Sequence, residues 1–202
     1  MKNLSKEHKA AAKSIISAGL VKAAESLSFF MQEQITIDNT DEDCLNCDPL
    51  DLARKDQENI HVLVTKVIGQ IGGVCCLIFS EDEAEHLRSV ALPEEIRSNE
   101  AMMAEMADGI LLEVDNIISA SVISQFSNLL KVRIFGDVPH LLKMNYAEMI
   151  DYLKKEISNE LYLVSFKTNF ESSKVHFKPE FLWLFNETFM EHVINSTQSI
   201  EN

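Results

Sequence analysis

The chain has 202 residues, 46% of them hydrophobic and 25% charged, proportions that suit a packed core and exclude a polypeptide disordered throughout. A formal net charge of −14 repels phosphate backbones and anionic lipid, which argues against nucleic acid and membrane surfaces as partners. No apolar run approaches the roughly 20 residues of a spanning helix, and the opening MKNLSKEHKA lacks an apolar signal-peptide core, so the expected address is the cytoplasm.

In chain order, residues 5 to 31 place Ala12, Ile15, Ile16, Gly19, Leu20, Ala23, Leu27 and Phe30 at helical spacing, and Ser5 can cap the start. Gln34 to Ile37 reads as a short strand, and the acidic stretch 38 to 58 as a loop. His61 to Ile68 and Val74 to Phe79 form a hairpin around Gly72 and Gly73. Ser80 with Glu83 makes a capping box for a helix that runs to about Ala91, before Pro93. A second long helix covers roughly Asn99 to Leu130. Strands follow at Val132 to Phe135 and Val138 to Met144, then a helix over Tyr146 to Ile157. Two further strands span Leu161 to Phe170 and Val175 to Phe185, and Asn186 caps a last helix to about Ile194.

Cys44 and Cys47 have the spacing of half a zinc site or of a redox pair, but no second pair supplies the remaining ligands and no strand-to-helix turn is there to activate a thiolate, so the pair reads as part of a polar loop and no metal is expected in this chain. Cys75, Cys76 and Trp183 are expected in the core of strands, and Met102, Met103 and Met106 in the core of the second long helix. His86 and His192 occupy matching helix positions and are expected to be structural. No Gly-rich phosphate loop, GxSxG or HExxH is present.

The order of elements recurs, and so do residues. Ile15 to Gly19 matches Ile117 to Ser121 at an offset of 102 (117 minus 15). Leu77 to Glu81 matches Trp183 to Glu187 at an offset of 106 (187 minus 81). A single domain over 1–202, built of two repeats at about 5–97 and 99–195, is therefore expected, with the two halves related by a pseudo-two-fold axis.

On the second long helix Glu113 and Asn116 stand three residues apart, on one face, among Ile110, Leu111, Ile117 and Ile118. By periodicity alone they can be the wet side of an amphipathic helix. Their setting, however, resembles the CheC, CheX and FliY family of chemotaxis phosphatases. That signature is a Glu, two residues, an Asn, an apolar small-residue run and a Pro about twenty residues on, here Glu113, Asn116, Ile117 to Ser121 and Pro139. Two departures stand out: Gly109 occupies the place of a frequent Ser or Asp, with Asp108 one residue off, and Pro139 lies one residue late.

The resemblance implies a CheC-like α+β fold of two layers, one continuous antiparallel-rich sheet against two long helices. It implies hydrolysis of the aspartyl phosphate of the response regulator CheY, with Asn116 positioning the water and Glu113 docking on a partner lysine. The Mg²⁺ of such a reaction belongs to the response regulator, and no cofactor is expected here. Family members often carry a second site on the first helix; the offset of 102 assigns it to Ala11 and Ser14, which cannot serve, so that copy is expected to be degenerate. The alternative is a non-catalytic module that binds a receiver domain, a CheD-like deamidase or a flagellar-switch partner, and a third reading is a receiver domain other than CheY.

Overall fold

A computed structural model describes residues 6–38, 59–156, 162–174 and 176–198. Cys44 and Cys47, Ser5 and most of the acidic stretch lie outside the described residues. The elements are α1 (Lys6–Met31), β1 (Thr36–Asp38), β2 (Ile60–Gly69), β3 (Gly73–Ser80), α2 (Glu81–Ala91), α3 (Glu94–Arg97) and α4 (Glu100–Leu130). They continue with β4 (Ile134–Gly136), β5 (His140–Met144), α5 (Tyr146–Glu156), β6 (Tyr162–Lys167), β7 (Asn169–Glu171), β8 (His176–Phe177), β9 (Glu180–Phe185) and α6 (Glu187–Gln198).

Local chemistry sets the helix limits. Ser80 Oγ accepts from Glu83 N, and the Glu83 carboxylate accepts in return from Ser80 N, the reciprocal box that starts α2. Asn99 Oδ1 accepts from the amides of Ala101 and Met102 at the start of α4. Asn186 Oδ1 accepts from Phe189 N ahead of α6, which runs a turn further than its sequence suggests. The one-turn α3 follows Pro93, whose fixed φ suits a helix start, and has no counterpart in the sequence expectations.

The sheet is antiparallel, in the order β4-β2-β3-β9-β6, with β5 beside β4 on the same edge of β2. Alternation along its strands sends Leu63, Cys75, Leu77, Phe181 and Trp183 into the core beneath α1, α2, α4 and α6. Val62, Val64, Cys76, Ile78, Leu182 and Leu184 face the other way, onto Tyr146, Met149, Ile150 and Leu153 of α5. The expected two long helices on an antiparallel sheet are present, but α5 adds a partial third layer to the expected two, and the strands divide into two sheets in place of one continuous sheet. Burial of both faces explains why β2 and β3 read as near-continuous apolar runs.

The expected single strands 161–170 and 175–185 are each broken. Thr168, fully buried, separates β6 from β7, and Lys178 with Pro179, which offers no amide hydrogen, separates β8 from β9. Beyond the breaks, β7 leaves the main sheet to form a three-stranded one, β1-β7-β8.

Strand pairing shows how the halves are joined. Thr36, Ile37 and Asp38 pair with Glu171, Phe170 and Asn169, while Ile134, Phe135 and Gly136 pair with Gly69, Ile68 and Val67. β2 (60–69) corresponds to β6 plus β7 (162–171) at an offset of 102 (162 minus 60), and on that correspondence the two sets of pairs are equivalent. Each half therefore lends its short strand to the other. β3 and β9, themselves equivalent, pair at the centre, where Cys76 opposes Leu182 and Leu77 opposes Phe181.

On the long helices the register differs from the one expected. α1 buries Ile15, Ile16, Gly19, Leu20, Ala23, Ala24 and Leu27; α4 buries Val114, Asp115, Ile118, Ser119, Val122, Ile123 and Phe126. The two series coincide at an offset of 99 (114 minus 15). Both helices also end on a left-handed residue, Gln32 (φ 53) and Lys131 (φ 54), again 99 apart (131 minus 32). The match of Ile15–Gly19 to Ile117–Ser121 was a coincidence of short apolar strings. Glu113 is thus equivalent to Ser14 and Asn116 to Ser17, and the assignment of Ala11 and Ser14 to a first site is corrected accordingly.

Gly19 lies at a close approach of the two helices: a Cβ there would fall 2.6 Å from Val122 Cα. Ser14–Met31 is long and apolar enough by composition to cross a membrane, contrary to the sequence expectation. In the fold it lies along α4 and places Leu20, Ala23 and Leu27 in the core with no exposure.

Candidate functional site

The middle of α4 carries the candidate residues because its buried stripe leaves them outside. Leu111, Val114, Ile118 and Val122 face the core, so Glu113 and Asn116, about 60° apart around the axis, both emerge on the exposed side. They share a cleft of about 320 Å³ with Gly109 and Leu112 from α4 and Gly136, Asp137, Val138 and Pro139 from the β4–β5 connection. Glu113 also borders a second, open groove of about 920 Å³ with Ile117 and the end of α1, including Phe29. Pro139 therefore stands at the cleft with the acid and the amide, although it lies 23 positions after Asn116 (139 minus 116).

The connection is held in place from below. Asp137 N donates to Lys66 O at 2.8 Å, and Asp137 Oδ1 accepts from Val138 N at 2.8 Å. Gly136 pairs with Val67, and a Cβ on it would come within 3.1 Å of Thr65 Cγ2 and Ile123 Cδ1, so the absence of a side chain lets this wall settle onto β2. Val138 is 71% exposed on one side of the pair and Phe29 is 88% exposed on the other. Apolar groups that open to water flank a polar centre, an arrangement suited to contact with another surface.

Under the pair lies a residue that the sequence reading did not weigh. Asp115 is fully buried; its Oδ2 accepts from the Thr65 hydroxyl at 2.7 Å, while Oδ1 has no hydrogen-bond partner. Burial pushes its pKa up to about 7 against the lowering effect of the Thr65 bond. Cys75, opposite Thr65 across the hairpin, is also fully buried, and burial together with the Asp115 charge drives its thiol well upward, so it stays neutral. A signal for Asp115 was available, since it is the one carboxylate in the stripe of positions 111, 114, 115, 118 and 122.

Asp108, one place from the family position, is engaged elsewhere. Arg88 approaches it at 3.2 Å and Lys143 at 2.8 Å. Burial raises its pKa, but the Lys143 hydrogen bond and charge, with Arg88, outweigh that and leave it below the usual carboxylate range. Arg88 also meets His61 Nε2 at 2.9 Å; burial first and the Arg88 charge second lower the pKa of this imidazole and keep it neutral. Gly109 itself faces open space.

Ser14 is exposed and Ser17 half-buried on α1. Met102 and Met106 are 43% and 41% exposed, not in the core as expected, because this part of α4 precedes the stripe that begins at Leu111. Trp183, Cys75 and Cys76 are buried as expected. His86 accepts from His176 N at 3.4 Å, a structural contact; His192 is half-buried. Among the described residues no group of three His, Cys, Asp or Glu side chains could hold a metal ion.

No family model and no curated protein matches the sequence. Solved structures do match in fold. FliY of Thermotoga maritima is 14% identical with a TM-score of 0.71, over 98% of this chain and 99% of that one. CheX in the CheX–CheY–BeF3–Mg²⁺ complex of Borrelia burgdorferi is 14% identical with a TM-score of 0.54, over 85% and 97%. FliM in the FliM–SpeE complex of H. pylori is 14% identical with a TM-score of 0.60, over 98% and 97%. The chain has a CheC/CheX/FliY-like fold.

Proposed function

We propose that this chain hydrolyses the aspartyl phosphate of a CheY-like receiver domain in the cytoplasm. The observation that carries the reading is the placement of Glu113 and Asn116, exposed together on α4 in a cleft with Pro139, in the order of the motif they resemble. An acyl phosphate is already activated, so its hydrolysis asks mainly for a water held in line with phosphorus. Asn116 suits that task, because its amide both accepts and donates without a charge. Glu113, between two openings of the surface, suits a docking role on a lysine of the partner. The Mg²⁺ is assigned to the receiver domain; the CheX neighbour, seen with CheY, BeF3 and Mg²⁺, supports a partner of this kind.

A second reading, a binding module without turnover, is favoured by the likeness to FliM and by serines at both positions of the first helix. Its partner would be a receiver domain, a flagellar-switch component or a CheD-like protein. Mixing the pure chain with phosphorylated receiver domains and following loss of the acyl phosphate separates the two. Accelerated loss is expected; stable complex formation with no acceleration would transfer the assignment to the binding module.

A further inference from the structure

Asp115 is not needed to fill its position. In the equivalent place on α1 the chain uses Ile16, equally interior at 2% exposure, and the two helices otherwise bury matching faces. A carboxyl group at such a place gains one hydrogen bond and leaves an oxygen unpartnered, which is unfavourable for packing alone. What distinguishes the two positions is what lies on the outer side of the helix: Glu113 and Asn116 in one case, Ser14 and Ser17 in the other.

The other end of the bond shows what it could govern. Thr65 lies in β2 next to Lys66, whose carbonyl holds the Asp137 amide, and two residues before Val67, which pairs with Gly136. Both walls of the cleft are thus fastened to the same three residues of one strand, the loop wall through Lys66 and Val67 and the helix wall through Thr65. Because Asp115 sits between Glu113 and Asn116 in sequence but on the inner side of α4, fixing its carboxyl sets the rotation and depth of that turn.

We propose that Asp115 is a positioning residue, whose hydrogen bond with Thr65 pegs the site-bearing turn of α4 to β2 and so aligns Asn116 and Glu113 with the Asp137–Pro139 wall. It rests on the reading of Asn116 and Glu113 as the working pair. The peg works as the neutral acid. Thr65 faces it from β2 and the neutral Cys75 thiol from β3; its pKa shift has only burial and the Thr65 bond as causes, with no contribution from a cation on any neighbouring element. Ionisation would leave a buried charge with a single donor, so the turn should respond to pH near neutrality. Since the folded state holds this proton more tightly than the unfolded chain, stability falls as pH rises from about 4 to about 7 and levels off above that.

The test follows the side-chain amide of Asn116 by NMR in the full chain between pH 5 and 8.5, alongside turnover of a phosphorylated receiver domain. In the wild type the Asn116 resonance is expected to move with a midpoint near 7, and in Asp115→Asn, which keeps the bond but cannot ionise, to stay in place. Thr65→Val should cut kcat by about tenfold with KM within about twofold, and Thr65→Ser should restore it. An Asn116 resonance that ignores pH in the wild type, or that moves equally in Asp115→Asn, overturns the peg, and so does undiminished kcat in a folded Thr65→Val. If Thr65→Val does not fold, the comparison of wild type with Asp115→Asn decides. A wild type that shows the titration but hydrolyses no receiver phosphate retains the peg and removes the phosphatase reading.

Discussion

Helices α1 and α4 hold equivalent places and bury equivalent faces, yet within four residues three positions differ in chemical character, the fourth being Ile15 against Val114. α4 has Glu113, Asp115 and Asn116 where α1 has Ser14, Ile16 and Ser17. The shared stripe shows what the fold demands of such a helix: small or apolar residues at a spacing of three and four. The differences show what it does not demand. An acid and an amide on the outside and a carboxyl on the inside are surplus to packing, and the outer pair lines a cleft closed by the β4–β5 connection.

The sharpest way to break this contrast is Asn116→Ala. Loss of a group that positions the attacking water should lower turnover by about 100-fold, on the order of 3 kcal/mol of barrier, while thermal unfolding is unchanged because the side chain is exposed. Glu113→Ala should weaken capture of a receiver domain loaded with a phosphoryl analogue, more so at low salt, where an exposed ion pair is less screened. Unaltered turnover and binding in both variants would reduce the α4 face to a solvated surface.

A stability effect of similar size is expected where the helices meet. Gly19→Ala forces a methyl group against the Val122 backbone and should cost about 1–3 kcal/mol in urea unfolding. Gly109→Ala, which faces open space within α4, should instead stabilise by about 0.5–1 kcal/mol. Equal effects would mean that the close approach at Gly19 is not a constraint. The smallest effect is expected on the silent flank: Ser14→Ala with Ser17→Ala should leave turnover within about twofold, and a larger fall would show that α1 contributes to the reaction.

Much of the fold was legible because its signals are local. Ser80 with Glu83, Asn99 and Asn186 mark helix starts by hydrogen bonds within three residues, and each bond is made. The placing of Glu113 and Asn116 on the outer face followed from spacing. The breaks at Thr168 and Pro179 were not legible, since they reflect the departure of β7 toward β1, which is remote in sequence. The helix register failed for a related reason: short apolar strings match at several offsets, and it takes burial together with the left-handed helix ends at Gln32 and Lys131, properties of the assembled fold, to select 99. Asp115 lay in plain view, but a lone carboxylate in an apolar stripe acquires meaning only when Thr65 is known to face it.

The exchange of β1 and β4 has a bearing on how the chain is made. As the polypeptide leaves the ribosome, the apolar edge of β3, Val74 to Phe79, emerges about a hundred residues before β9 can cover it, and β1 waits longer still for β7. Through that interval the nascent first half presents unpaired strand edges, a template for pairing with a neighbour on the same message. Synthesis rate and chaperone supply, rather than the stability of the finished protein, would then limit its yield, and slowing translation across 100–185 should shift the product toward aggregates.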